Sequence, residues 1–282
     1  MNGKAVVVTG AAKGIGRACV LRLARAGFRV YAGVRKLDDG RSLVSEGGNN
    51  VRPVQMDVTQ SDAINTVAEF VRSDLNGSSL CGVVNNAGLA VAGPLEFLPL
   101  AELRHQLEVN VIGQVAVTQA FLPMLRQSKG RVVFIGSIAG RSAMPLTGPY
   151  SASKFALEAI ADALRVELMN AEVDVVIIEP GMIDTPIWQT SISAGDKTMS
   201  AMPPQVMRYY GKVINAVRKR ASEGNQRGLP PDDVAKVVEE ALTSAKPKTR
   251  YIVGKDALLR VVLQMLPDRM RDRLIARKLA NM

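Results

Sequence analysis

Short apolar runs alternate with longer helical patterns along most of this chain, and this alternation constrains the fold more than any other feature. Several runs are unbroken stretches of Val and Ile, which is typical of strands that are buried on both faces. Strands that alternate with helices join through right-handed crossovers into an open parallel sheet. The pattern therefore predicts a doubly wound α/β fold, with a mostly parallel seven-stranded sheet and helices on both faces.

The positions of the strands and helices follow from the same pattern. The predicted strands are Ala5–Thr9, Arg29–Gly33, Val51–Asp57, Gly82–Asn85, Arg131–Ile135, Asp174–Glu179 and Arg250–Val253. The longer helical patterns are Gly14–Ala26, Ser61–Leu75, Ala101–Gln127 and Tyr150–Asn170. Because no internal repeat or low-complexity linker interrupts them, we expect a single domain over residues 1–282.

Two segments depart from this alternation. Residues 182–231 are rich in Met, Pro, Ser and Gly, and we expect them to leave the sheet at its carboxyl edge, where such folds bind ligands. Residues 255–282 form a basic helical segment at the C-terminus. Residues 203–282 hold 17 Lys and Arg against 8 Asp and Glu, which is most of the net charge of +10. Without interleaved aromatic residues or a nucleic-acid motif, this predicts a solvated basic face and no nucleic-acid partner.

Composition excludes several classes of protein and site. No apolar run reaches 18 residues, so no membrane-spanning helix is expected, and the N-terminus reads as a first strand and not as a signal peptide. His105 is the only histidine, which rules out a His-based triad and a multi-histidine metal site, and we predict no metal. Cys19 and Cys81 lack metal-ligand or redox spacing, so we expect buried free thiols and a cytoplasmic location.

A glycine-rich turn follows the first predicted strand. The stretch VVVTGAAKGIGR places Gly10, Gly14 and Gly16 between that strand and the first helix. Glycines allow a tight turn and a close approach of the backbone to a ligand, and the helix N-terminus offers free N–H groups to a pyrophosphate. A tight strand-to-helix corner without a ligand would show the same glycines. The turn is not a P-loop, because no Gly-Lys-Ser/Thr follows.

Tyr150 and Lys154 lie four residues apart at the start of a predicted helix, so their side chains share one face. A phenol beside a fixed ammonium is able to perform acid–base chemistry, although two residues on a solvated helix surface show the same spacing. Ser151 and Lys154 also match the S-x-x-K signature of a nucleophilic serine. That signature requires S-D-N and K-T-G partners, and neither string occurs in the sequence.

Five motifs in a fixed order carry a family resemblance. They are T-G-x-x-x-G-I-G from Thr9, N-N-A-G from Asn85, Ser137, the Tyr150 and Lys154 pair thirteen residues later, and Pro180–Gly181. In this order and spacing the chain resembles the short-chain dehydrogenase/reductase family, and several other stretches resemble bacterial relatives of retinol and 17β-hydroxysteroid dehydrogenases. The resemblance implies a Rossmann-type fold and hydride transfer between a nicotinamide cofactor and an alcohol or ketone.

The resemblance also implies a catalytic set of Asn110, Ser137, Tyr150 and Lys154. Tyr150 would exchange a proton with the substrate oxygen, Ser137 would hydrogen-bond that oxygen, and Asn110 would hold a water that links Lys154 to solvent. Lys154 would hold the nicotinamide ribose. A phenol has an ordinary pKa of about 10, and a nearby cation such as Lys154 favours the phenolate and lowers that value.

The expected cofactor contacts follow from the same motifs. They are Gly10, Lys13, Gly14, Ile15, Gly16, Arg35, Asp57, Val58, Asn85, Asn86, Ala87, Gly88, Tyr150, Lys154, Pro180, Gly181, Ile183 and Thr185. Val34 falls at the end of the second strand, where NAD-using relatives carry an Asp that accepts hydrogen bonds from the ribose. Lys13 and Arg35 are cations suited to a 2′-phosphate, so we predict NADP over NAD unless both are ordinary surface charges.

The substrate is predicted to be a small molecule with a bulky, apolar structure, because the segment Met182–Tyr210 is rich in methionine and contains Trp188. A mere hydrophobic cap would have the same composition. A catalytically silent dinucleotide sensor is the alternative function, but such proteins typically lack the Tyr or Lys. An enoyl reductase has its Tyr and Lys farther apart, and a sugar epimerase usually has a different glycine turn and a longer C-terminal domain.

Partners follow from the resemblance and from the C-terminus. Family members commonly form dimers or tetramers through the helices Ala101–Gln127 and Tyr150–Asn170, so we expect a homodimer or homotetramer. The C-terminal stretch from Asp256 pairs apolar positions with Arg and Lys, as an interfacial helix does. We expect this segment to dock over the substrate pocket, with at most weak peripheral contact with membranes.

Overall fold

The computed structural model describes residues 3–187, 190–191, 195 and 202–280, and it gives no side-chain detail for residues 220–227 and 280. Its strands are β1 Lys4–Val8, β2 Arg29–Val34, β3 Val51–Gln55, β4 Ser79–Asn85, β5 Arg131–Ile135, β6 Asp174–Pro180 and β7 Arg250–Val253. They form one sheet in the order β3-β2-β1-β4-β5-β6-β7, and every neighbouring pair is parallel. The predicted Rossmann-type sheet of seven strands is therefore confirmed.

Ten α-helices have both of their ends in the described part of the chain. They are α1 Gly14–Arg25, α2 Arg41–Gly47, α3 Ser61–Asp74, α4 Leu100–Leu107, α5 Gly113–Ser128, α6 Gly148–Glu167, α7 Gln205–Arg227, α8 Pro231–Thr243, α9 Lys255–Leu263 and α10 Asp268–Ala280. The helix predicted over Ala101–Gln127 is in fact two helices, because a π-helical turn at Glu108–Ile112 separates α4 from α5.

The core lies on both faces of the sheet, as strands without alternation require. In β1, Val6 and Val8 face a cluster that includes α1 and α8, whereas Ala5 and Val7 face a cluster that includes α3, α5 and α6. Cys19 is buried in the first cluster. Burial raises the pKa of its thiol to about 12, so it is an inert, free core residue as predicted.

Cys81 is the other free cysteine, and it is half-buried. Burial raises the pKa of its thiol to about 11, and the thiol lies 2.9 Å from the Ala5 carbonyl oxygen. The described residues bring together no group of three or more His, Cys, Asp or Glu that would hold a metal ion. In the same part of the chain, no helix is long and apolar enough to cross a bilayer.

The two ends of the excursion predicted over residues 182–231 lie side by side. Ile183 and Leu229 form a parallel bridge, with Asp184 N donating to Leu229 O at 2.9 Å and Leu229 N donating to Met182 O at 3.0 Å. The helix α7 lies within this segment. Trp188, which contributed to the prediction of an apolar pocket, lies outside the described residues, as does Met199.

Candidate active site

A cleft of about 1080 Å3 lies at the carboxyl edge of the sheet. Its lining comes from the chain that follows β1, β2, β3, β4, β5 and β6. The strand order reverses between β1 and β4, and ligands of doubly wound sheets bind at such a point. Most of the predicted site residues line this one cleft.

The glycine turn closes one side of the cleft. Gly10 and Gly14 have φ values of 63° and 58°, which residues other than glycine rarely adopt. A Cβ on Gly10 would lie 2.8 Å from the Ala87 Cα, so this position also needs the small residue for packing. Behind the turn, α1 begins at Gly14 and directs its N-terminus at the cleft.

Gly16 does not line the cleft, contrary to its expected role as a cofactor contact. It is buried, and a Cβ at this position would overlap the Gly10 carbonyl oxygen and the Asn86 side chain. Gly16 therefore holds the turn together from behind. The motif identified an important residue, but not the side of the turn on which it acts.

The N-N-A-G stretch begins at the last residue of β4, and only part of it lines the cleft. Asn86, Ala87 and Gly88 line the cleft. Asn85 does not, because its side chain is wholly buried and its Nδ2 donates to Thr118 Oγ1 at 2.9 Å. Its predicted contact with the cofactor is therefore not available to this side chain.

Thr9 is a positioning residue that the sequence analysis did not single out. Its hydroxyl oxygen accepts hydrogen bonds from the backbone N–H of Asn86 at 3.0 Å and of Ala87 at 2.9 Å. These bonds fasten the end of β1 to the end of β4, where the two halves of the cleft meet. The threonine in the T-G-x-x-x-G-I-G motif was the signal that would have revealed it.

Ser137, Tyr150 and Lys154 converge at the centre of the cleft. Ser137 follows β5, and its hydroxyl forms a side-chain hydrogen bond with the Tyr150 phenol on α6. The Lys154 Nζ lies 5.8 Å from the centroid of the Tyr150 ring and donates to the Ile135 carbonyl oxygen at 2.7 Å. Tyr150 is 8% exposed and Lys154 is 4% exposed, so both polar groups are almost fully withdrawn from solvent.

Burial dominates the titration of this pair. It raises the pKa of Tyr150 above its ordinary value, and the hydrogen bond with Ser137 only partly opposes the shift. Burial also lowers the pKa of Lys154 to about 8, against the opposite influence of the Glu158 carboxylate. The pKa of the Tyr150 phenol is therefore raised and not lowered as expected, because the loss of solvation exceeds the effect of the Ser137 hydrogen bond.

Asn110 lies in the π-helical turn, and its side chain makes three hydrogen bonds within the protein. Its Oδ1 accepts from Leu89 N at 2.9 Å, and its Nδ2 donates to Leu89 O at 2.9 Å and to Ser153 Oγ at 3.1 Å. Asn110 thus fixes the loop after β4 against α6. Its role in holding a water stays a prediction.

A buried ionic cluster lies behind Lys154, and sequence reasoning missed it. The Glu179 carboxylate is wholly buried and pairs with the Arg141 guanidinium. The Arg141 Nε lies 2.6 Å from Glu179 Oε2, and the Arg141 Nη2 donates to Glu179 Oε1 at 2.7 Å. Glu158, one turn after Lys154, pairs with the Arg250 Nε at 3.1 Å. Burial and the neighbouring Glu179 raise the pKa of Glu158 to about 7, although Arg250 and Arg141 oppose the shift. The only sequence signal was a glutamate inside the apolar strand DVVIIEP.

The outer end of the cleft carries the residues predicted to choose the cofactor. Lys13 and Arg35 both line it, and Val34 ends β2 with a 2% exposed side chain. Two carboxylates, those of Asp38 and Asp39, also line this end. Arg41 is a third cation in the lining, and it pairs with Asp38 at 2.8 Å.

Asp57 and Val58, which are predicted to contact the cofactor, line the cleft next to this end. Partial burial acts to raise the pKa of Asp57, but hydrogen bonds from Thr59 and the charge of Arg35 bring it below its ordinary value. Asp57 is therefore a fixed carboxylate acceptor at neutral pH. His105 is exposed on α4 and also lines the cleft.

The turn after β6 forms the remaining wall. Pro180, Gly181, Ile183 and Thr185 all line the cleft. A Cβ on Gly14 would lie 3.2 Å from the Thr185 Cγ2, which places Thr185 against the glycine turn. Together with the N-terminus of α1, these residues form a cradle that offers backbone donors. The size and chemistry of this cradle fit a dinucleotide.

Comparison with known proteins identifies relatives over nearly the whole chain. Residues 4–195 match the family model of short chain dehydrogenases. An NADPH-dependent 3-dehydrocapnine reductase of Ornithobacterium rhinotracheale is 38% identical, over 98% of this chain and 97% of that protein. Retinol dehydrogenase 5 of Mus musculus is 34% identical, over 95% of this chain and 86% of that protein. A solved short chain dehydrogenase from Burkholderia cenocepacia in complex with NADP has 27% identity and a TM-score of 0.71, covering 98% and 96% of the two chains.

Proposed function

The chain belongs to the short-chain dehydrogenase/reductase family, and from that premise we propose that it transfers a hydride between NADP(H) and a bulky apolar alcohol or ketone. The convergence of Ser137, Tyr150 and Lys154 in the cleft carries this proposal. Relatives that match nearly the whole chain are named as reductases and dehydrogenases. The protein is accordingly an NADP-dependent oxidoreductase, and nothing supports the alternative of a silent sensor.

Each residue of the set has a chemical task. The nicotinamide, when bound, supplies or accepts the hydride. Tyr150 donates a proton to the carbonyl oxygen during reduction, and its raised pKa keeps the phenol protonated at neutral pH. Ser137 hydrogen-bonds the same oxygen and stabilises its developing charge. Lys154, with a pKa of about 8, is mostly an ammonium at neutral pH and balances the charge that Tyr150 leaves behind.

Three cations favour NADP at the outer end of the cleft. Lys13, Arg35 and Arg41 line the region where a 2′-phosphate would lie, and Val34 offers no acceptor to a ribose hydroxyl. The relatives' names agree, since one is an NADPH-dependent reductase and one was solved with NADP. The protein therefore uses NADP in preference to NAD.

The substrate class rests on the apolar side chains near Ser137. The cleft contains Ala90, Val91 and Ile187 on its substrate side, and Met144 and Met182 lie next to Ser137 in an adjoining cavity. Methionine side chains adapt to large apolar ligands. We therefore propose a steroid-like, retinoid-like or lipid-like substrate, taken as a small molecule.

An NADPH-consumption screen over ketones, steroids, retinoids and aliphatic aldehydes tests the activity, with Tyr150→Phe as the decisive variant. This change removes only the hydroxyl, so we expect turnover to fall by at least ~100-fold while NADP(H) binding stays nearly intact. Tyr251→Phe, remote from the cleft lining, is the matched control and should keep its activity. Near-normal turnover in Tyr150→Phe on the best substrate would contradict the mechanism.

The oligomeric state is also proposed here. Phe155, Val166 and Met169 are 45%, 67% and 66% exposed on or directly after α6, and Ile112 is 53% exposed before α5. Large apolar side chains on these helices favour the predicted homodimer or homotetramer. Size-exclusion chromatography with light scattering tests this, and a monomer at all concentrations would contradict it. The cytoplasmic location stays a prediction.

A further inference from the structure

A second, smaller cavity of about 100 Å3 adjoins the main cleft. Ser137 and Gly181 line both, so the two spaces meet at the residue proposed to bind the reacting oxygen. The cavity is bounded by the chain after β5, the turn after β6 and the helices α7, α9 and α10. A substrate whose carbonyl lies at Ser137 is therefore placed to extend a further group into this cavity.

Most of the cavity wall is apolar. Ile138, Met144, Pro145, Met182, Val217 and Leu279 contribute to it. Such a wall suits an alkyl chain or a ring system. Because the wall is apolar, any charge within it interacts more strongly with a ligand than the same charge does at an open surface.

Two charged side chains interrupt this apolar wall. Among the described residues that line the cavity, Arg260 is the one cation and Asp256 is the one anion, and they lie four residues apart on α9. Asp256 has a structural task, because its Oδ2 accepts a hydrogen bond from Met182 N at 2.9 Å. Its carboxylate also packs against Gly181 so closely that a Cβ there would overlap it. Asp256 thus holds the turn after β6 in place.

Arg260 is half-buried and contributes to the lining of this cavity. A guanidinium has five N–H donors, so it is able to bind an anion in addition to the contacts that it makes within the protein. Its planar geometry matches the paired oxygens of a carboxylate or sulfonate. An apolar cavity that begins at the reacting oxygen and contains an arginine has the chemistry to recognise an anionic amphiphile.

We propose that Arg260 is a specificity-determining residue that binds an anionic oxygen group of the substrate. The substrate is then a long-chain ketone or alcohol with a carboxylate or sulfonate close to the reacting carbon. This narrows the apolar class proposed above, and it rests on that proposed function because it places the carbonyl between Ser137 and Tyr150.

Matched pairs of long-chain ketones test the proposal, the members of each pair differing only in a sulfonate or a neutral methyl sulfone near the carbonyl. In steady-state assays with NADPH, we expect the unmodified protein to prefer the sulfonate by ~10-fold or more in kcat/KM. Arg260→Met should abolish this ratio through a higher KM for the sulfonate, and Arg260→Lys should keep part of it. Lys255→Met removes an exposed cation from the same helix, outside the cavity lining, and should keep the full ratio.

Equal efficiency on sulfonate and sulfone in the unmodified protein would overturn the proposal while ketone reduction itself stands. If neither member of any pair is reduced, the proposed function fails, and titration calorimetry with hexanesulfonate then decides the anion site separately. Binding that Arg260→Met weakens by ~10-fold supports the site. Absence of binding, or equal binding by both proteins, overturns it.

Discussion

The Glu158 carboxylate lies one helical turn beyond Lys154 on α6, and its charge raises the pKa of Lys154 against the opposite effect of burial. Glu158 is itself held by Arg250, and the buried pair of Glu179 and Arg141 lies beside it. A carboxylate outside the cleft lining thus influences the charge state of the central lysine, although burial has the larger effect. This arrangement has consequences for the pH dependence of the reaction.

We expect Glu158→Gln to move the high-pH limb of ketone reduction to lower pH. Without the carboxylate, only burial acts strongly on Lys154, so its pKa falls below about 8 and the ammonium is lost earlier as the pH rises. Profiles of kcat/KM between about pH 6 and pH 10 measure the limb. Glu167→Gln, an exposed glutamate on the same helix, is the control. An unshifted limb in Glu158→Gln would show that the carboxylate does not act on Lys154.

Lys154→Met should stabilise the protein while it abolishes activity. Burial holds the pKa of Lys154 near 8 instead of its ordinary 10.5, so the charged amine destabilises the folded state below about pH 8. The unfolded chain binds more protons between these two values, and stability therefore rises as the pH increases from about 8 to 10.5. Allowing for the lost hydrogen bond to Ile135, we expect a gain of about 2 kcal/mol at neutral pH.

Urea denaturation at neutral pH and near pH 10 checks this stability prediction. The gain from Lys154→Met should shrink at the higher pH, where the native amine is already neutral. Lys248→Met, which removes a lysine outside the cleft lining, should show no such pH dependence. A loss of stability in Lys154→Met at both pH values would contradict the prediction.

Arg35→Ala should remove most of the preference for NADP(H), which we expect to be at least ~10-fold in kcat/KM. The loss follows from the removal of a guanidinium suited to the 2′-phosphate, while contacts to the rest of the cofactor remain. Adding Val34→Asp should reverse the preference, because a carboxylate accepts hydrogen bonds from the ribose hydroxyls and repels the phosphate. Lys36→Ala, an exposed neighbour outside the cleft lining, is the control. Equal efficiency of the unmodified protein with NAD(H) would show the assignment to be wrong.

Gly16→Ala should impair NADP binding although Gly16 does not line the cleft. Its new Cβ would overlap the Gly10 carbonyl oxygen, so the glycine turn must open and the donors at the start of α1 must shift. We expect the Kd for NADP to rise by ~10-fold or more. Gly211→Ala on α7 is the matched control, since its Cβ would meet only the flexible Met207 Cε at 3.5 Å. Unchanged NADP affinity in Gly16→Ala would contradict this account of the turn.

The C-terminal helices should give at most weak, salt-sensitive binding to anionic membranes. Leu279 and Arg260 line the smaller cavity, which agrees with docking over the substrate site. Leu259, Val262 and Met265 are nevertheless 59%, 55% and 82% exposed near several basic residues. Sedimentation with anionic liposomes at low and high salt measures the contact. Tight, salt-resistant binding would contradict the docking role.

The sequence was sufficient to predict the position of a residue wherever that position follows from a local pattern. Unbroken Val and Ile runs located the strands, and motif spacing located Ser137, Tyr150 and Lys154. It was insufficient where the direction of a side chain decides, as for Asn85, which turns to Thr118 and away from the cleft. The cluster of Glu158, Glu179, Arg141 and Arg250 joins residues from distant parts of the chain, so no local sequence pattern predicts it.

The bridge between Ile183 and Leu229 has an evolutionary consequence. Because both ends of the excursion are fastened side by side at the sheet, the chain between them can change in length or sequence without altering the strands. The residues proposed to perform the proton transfer lie outside this segment, whereas Val217 in the smaller cavity lies inside it. Variation within this one segment is therefore able to reshape part of the wall around the substrate while Ser137, Tyr150 and Lys154 keep their places.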